Sequence, residues 1–128
     1  MLYSINPGIY FWTKTREIYS YIASPSAHSN QICHLTLLQS LIIELGLLDD
    51  VKLLPTTINS AKKYIKPRVF LNIRDYLSKR LEGPQAVRNS MFSSRSALVR
   101  DVRRKKNHAS LKWVKKLGLQ DLLVSVFH

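Results

Sequence analysis

The segment from Gln31 to Leu48 limits the possible folds more than any other part of the chain. Ile32, Leu35, Leu38, Leu41, Ile42 and Leu45 recur at helical spacing, and Leu37, Ile43 and Leu48 fill other sides. A helix that is apolar nearly all round has no face for water, so it must enter a core or be covered by a partner. Ser29 or Asn30 is placed to cap its start by accepting a bond from a free backbone N–H. Gly46 suits the left-handed position just past its end, with Leu47 folding back on Ile42. The segment is read as the core helix. Its row Leu38, Leu41, Ile42 and Leu45 is also the candidate face for a protein partner or a second copy of the chain.

A chain of 128 residues suggests one domain. The expected fold is mostly α: a small single-domain helical bundle with one buried central helix and basic amphipathic helices. An N-terminal arm and loop occupy 1–30, the core helix and a connection 31–56, and a basic helical part 57–128. Asn6-Pro7-Gly8 marks a turn before the apolar cluster at 9–12. A short helix is expected over 13–23, with Ile18, Tyr21 and Ile22 on one side, then a loop over 24–30. Thr56 or Thr57 caps a further helix, in which Ile58, Ala61, Tyr64 and Ile65 oppose Lys62, Lys63 and Lys66. Pro67 suits the first turn of the next helix, with Val69, Phe70, Ile73, Tyr76 and Leu77 as its apolar face. A strand through 68–73 is the alternative, since Val, Phe and Ile favour sheets. Residues 81–84 end that element, and 85–92 form a short helix or turn. Ser93 or Ser94 and then Ser110 cap two basic helices, and Gly118 stops the second with Leu119 returning to Val114. The apolar run 122–127 is compatible with a helix or a short C-terminal strand.

Charge is distributed unevenly. The net charge is +12. Residues 1–50 hold Lys14 and Arg16 against Glu17, Glu44, Asp49 and Asp50, whereas 51–128 hold eighteen bases against Asp75, Glu82, Asp101 and Asp121. That asymmetry suggests one part that folds or docks and another that meets phosphates, and it exceeds what solubility requires. The densest stretch, Met91 to Leu119, is not a plain basic tail. Leu98, Val99 and Val102 share one side of a helix while Arg100, Arg103 and Arg104 lie opposite. Trp113, Val114 and Leu117 then oppose Lys112, Lys115 and Lys116.

Bond-making chemistry finds little support. The four histidines and Cys33 lack the paired spacing of a structural zinc site. His34 reads as a core-edge histidine and Cys33 as a buried thiol. The carboxylates are sparse and read as caps or ion-pair partners. The glycines stand alone at 8, 46, 83 and 118, which rules out a glycine-rich phosphate loop. No enzymatic activity, cofactor or metal is expected. No stretch reaches the length of a membrane span, and no secretory signal is recognisable at the N-terminus.

What recurs is cationic amphipathicity, near 57–66, 95–106 and 110–117. Bases on the outer sides of such helices can replace counterions along a nucleic-acid backbone. The expected function is therefore non-enzymatic binding of RNA or DNA, directed at the backbone, by a subunit of a larger nucleoprotein assembly. The candidate contacts are Lys62, Lys63, Lys66, Arg95, Arg100, Arg103, Arg104, Lys105, Lys106, Lys112, Lys115 and Lys116. Tyr64 and Trp113 stand near these bases but fall on apolar sides, where core packing claims them. The alternative is a helical adaptor that docks through the 31–48 helix, with Arg103-Arg104-Lys105-Lys106 as an import signal. An intracellular location is expected, the nucleus ahead of the mitochondrion.

Overall fold

The computed structural model describes residues 17–48, 53–106 and 109–122. These residues are mostly helical and include no strand. Two compact units divide the chain, Met1–Lys62 and Lys63–His128.

In the first unit, residues 17–23 are helical (α1), with Ile18 and Tyr21 buried. The expected loop after it winds into a 3-10 turn, Pro25–Ser29. His28 holds that turn against α1: its Nε2 lies 2.8 Å from the Tyr21 carbonyl, which it hydrogen-bonds, and the two rings are 4.7 Å apart. The long apolar segment then forms α2, Gln31–Glu44. Asn30 begins it, accepting from the backbone N–H groups of Ile32 (2.9 Å) and Cys33 (3.1 Å). The stop is the expected one. Gly46 adopts φ 69°, a conformation that costs glycine little. The Leu47 N–H returns to the Ile42 carbonyl and the Gly46 N–H to that of Ile43, both at 3.1 Å.

Leu37, Leu38, Leu41, Ile42 and Leu45 are at most 1% exposed, which makes α2 a core helix. The row offered as a partner face, Leu38, Leu41, Ile42 and Leu45, is therefore covered by the chain itself. The exposed apolar residue of this helix is Ile32, beside a cleft of about 230 Å³ that Glu17, Tyr21 and Cys33 also line. Buried polar groups on α2 are matched: Ser40 Oγ donates to Glu17 at 2.9 Å, and Gln39 Nε2 donates to the Pro55 carbonyl at 2.8 Å.

Thr57 starts α3, Ile58–Ile65, through a reciprocal cap. Its Oγ1 accepts from the Ser60 N–H at 3.1 Å, and Ser60 Oγ accepts from the Thr57 N–H at 3.3 Å. Ala61 and Ile65 are buried, while Lys62, Lys63 and Lys66 are exposed. The boundary between the two units falls inside this helix.

In the second unit the structure departs from the expected helix at Pro67. Val69 and Leu71 are buried at alternate positions of a non-helical stretch, and Phe92 N–H donates to the Phe70 carbonyl at 2.7 Å. Burial of Val69, Leu71 and Asn72 and the β-favouring side chains accompany a non-helical 69–72, although no strand is formed there. The helix begins only at α4, Ile73–Lys79, where Asn72 caps it by accepting from the Arg74 N–H at 2.9 Å. A 3-10 turn, Arg80–Glu82, leads to α5, Pro84–Asn89, which buries Val87. Ser94 caps α6, Arg95–Lys105, and Ser110 caps α7, Leu111–Leu117. Leu98, Val99 and Val102 of α6 and Val114 of α7 enter the core. Past Gly118 the Leu119 N–H returns to the Val114 carbonyl at 3.2 Å, and a 3-10 turn, Gln120–Leu122, follows. The N-terminal turn at 6–8, the cluster at 9–12 and residues 123–127 of the candidate strand lie outside the described residues.

Replacing Ile42 by Asp would bury a carboxylate where the side chain is 0% exposed. A penalty of several kcal/mol is expected, enough to abolish cooperative unfolding in a circular-dichroism melt. A chain that still melts cooperatively would contradict the placement of α2 in the core.

Candidate nucleic-acid interface

The second unit carries all of the net charge. Residues 1–62 hold four bases and four acids, whereas 63–128 hold sixteen bases and four acids. Four acids can neutralise at most four of those sixteen bases. Lys63 on α3 and Lys66 just past its end, Arg95, Arg100, Arg103, Arg104, Lys105 and Lys106 around α6, and Lys112, Lys115 and Lys116 on α7 are all exposed. Lys62 is exposed too, but it is the last residue of the first unit.

Helix ends account for part of this pattern. Arg103, Arg104 and Lys105 occupy the last turn of α6, and Lys115 and Lys116 that of α7, where cations oppose the negative end of the helix dipole. Acids account for another part. Asp101, its side chain 10% exposed, lies 3.0 Å from Arg104 Nη2 and 3.3 Å from Lys105 Nζ. Asp75 of α4 comes within 3.8 Å of the same lysine, and Glu82 lies 3.2 Å from Lys79. The three arginines on one side of α6 are thus not equivalent. Arg104 turns back onto Asp101, whereas Arg100 and Arg103 form no ion pair with a described residue. The pairing had a local signal, because Arg104 and Lys105 follow Asp101 by three and four residues.

Burial works to raise the pKa of Asp101. The hydrogen bonds and charges of Arg104 and Lys105 outweigh it and hold the carboxyl below its ordinary value.

Two arginines absent from the sequence-based candidates also belong to this surface. The Arg68 guanidinium carbon lies 3.9 Å from the Tyr64 ring centre, and its Nη1 donates to the Tyr64 carbonyl at 2.8 Å. The Arg74 guanidinium carbon lies 4.6 Å from the Trp113 ring centre. The first contact is an i,i+4 pair and was open to sequence reasoning. The second joins α4 to α7 and had no local signal. Tyr64 and Trp113 are half-buried, so each serves the core with one part and an arginine with another. Arg74 and Asp75, adjacent in the first turn of α4, thereby connect α7 and the end of α6 respectively.

Among the described residues, no group of three or more His, Cys, Asp or Glu side chains is placed to hold a metal ion. No described helix is long and apolar enough to cross a membrane. Comparison of the chain with protein-family models, curated proteins and solved structures finds no match.

Two outcomes follow from the end of α6. Because the folded pKa of Asp101 lies below the unfolded one, its stabilisation is complete above about pH 4 and fades as pH falls through the folded value. Asp101→Asn should therefore cost on the order of 1 kcal/mol at neutral pH. Urea melts should show the gap closing on acidification, and a gap that ignores pH would refute the pairing. Lys106 holds a left-handed backbone at φ 55°. Lys106→Gly should relieve that strain and raise stability by about 1 kcal/mol in the same melts.

Proposed function

We propose that the chain is a non-enzymatic nucleic-acid-binding protein that tracks the backbone and acts as a subunit of a larger nucleoprotein assembly. The observation that carries this reading is the confinement of the net charge to residues 63–128, with its bases exposed along α3, α6 and α7. Lysines offer point charges to phosphates, and arginines offer planar two-bond contacts. Lys63, Lys66, Arg100, Arg103, Lys106, Lys112, Lys115 and Lys116 are the leading contacts, because none is committed to an ion pair with a described residue. Arg104 and Lys105 contribute less, their charge being shared with Asp101. The protein neighbours are the other subunits of that assembly. The location is intracellular, with the nucleus ahead of the mitochondrion.

Salt dependence tests the reading. With six or more phosphate contacts, affinity should fall on the order of a thousandfold between roughly 50 and 200 mM salt. Replacing Arg100 and Arg103 together by Ala leaves Leu98, Val99 and Val102 to anchor α6 and should lower the salt slope by about two units. The matched change of Lys14 and Lys52 to Ala, both outside the described residues, should leave the slope nearly intact. A flat salt response would refute phosphate contact, and equal losses from the two pairs would refute a defined surface.

A further inference from the structure

We infer that Arg74, seated on Trp113, is a stacking position for an unpaired base, so that the second unit prefers single-stranded or looped nucleic acid to duplex. This rests on the proposed binding of nucleic acid and names the form bound.

The Arg74 guanidinium has two flat faces and an edge of N–H donors. Its carbon lies over the Trp113 ring, 4.6 Å from the ring centre. Arg74 is an exposed residue, so its side chain remains open to solvent beside the ring. Its N–H groups make no hydrogen bond with a described residue. A guanidinium in that state presents a flat cationic surface for a base and free donors for a base edge or phosphate. Arg68 on Tyr64 differs, because a donor of its guanidinium is already spent on the Tyr64 carbonyl.

The surroundings distinguish Arg74 from an ordinary surface arginine. The neighbouring Asp75 is directed to Lys105 at 3.8 Å, a contact that draws its charge towards α6. On α7, Lys112 immediately precedes Trp113 and Lys116 follows it by one turn, and both are exposed. Exposed lysines one turn apart on the same helix can hold phosphates of a strand whose base stacks at Arg74. A duplex keeps its bases paired and stacked inside, so it can use the lysines but not the stacking position. A single strand can use both.

The test separates bases from phosphates. The full chain is titrated with three labelled polymers of about a dozen nucleotides: a single strand, the same strand made of abasic nucleotides, and a duplex. Each is also measured with Arg74→Lys, which keeps the charge and loses the planar surface. The base-bearing strand should bind at least about fivefold tighter than the abasic one. Arg74→Lys should erase that difference while leaving abasic and duplex affinity unchanged. If base-bearing and abasic strands bind alike, or if Arg74→Lys weakens all three polymers equally, the stacking position is refuted and the charge-based function stands. If none of the three polymers binds, both readings fall.

Discussion

Electrostatic self-repulsion is the constraint that residues 63–128 have to satisfy. Sixteen bases and four acids occupy this unit, and all but a few of its cations, Arg80 at the end of α4 being a buried one, stay outside the core. Three devices do this. Bases collect in the last turns of α6 and α7, where the helix dipole favours them. Acids are placed where bases are densest, so that Asp101 faces both Arg104 and Lys105. Two exposed arginines lie on aromatic rings, Arg68 on Tyr64 and Arg74 on Trp113. Only the acids lower the net charge, and the other two devices leave it at the surface. The first unit faces no such problem, since its four bases and four acids balance and a buried α2 supplies its core.

Local chemistry made much of this fold legible. Asn30, Ser94 and Ser110 cap the helices they precede, and Gly46 and Gly118 end the helices they follow, because each motif needs only neighbours in sequence. The exposure of Lys63, Arg100 and Lys112 followed from helical periodicity alone. The segment after Pro67 failed for the opposite reason. Val69 and Leu71 are buried in a non-helical stretch, a tertiary demand that overrides the proline signal. Asn72 carried a cap signal that the earlier start at Pro67 concealed. The inequality of the α6 arginines was legible in the i,i+3 and i,i+4 spacing from Asp101. The contact between Arg74 and Trp113 was not, because it depends on how α4 meets α7.

The division between lysine and arginine gives this surface two kinds of reach. Lysines act through the field, which at physiological salt decays over about 8 Å. Neighbouring lysines on one helix lie within that distance, so their contributions add and attract any polyanion. Such attraction carries no information about bases. A guanidinium fixed on a ring acts only at contact, and its face and edge make different demands on what approaches. Arg74 lies over Trp113, and the next residue of α7, Val114, is buried. A guanidinium at the surface is thus held beside a half-buried aromatic ring. The lysines around it need no such support, because a field does not depend on the orientation of a flexible side chain.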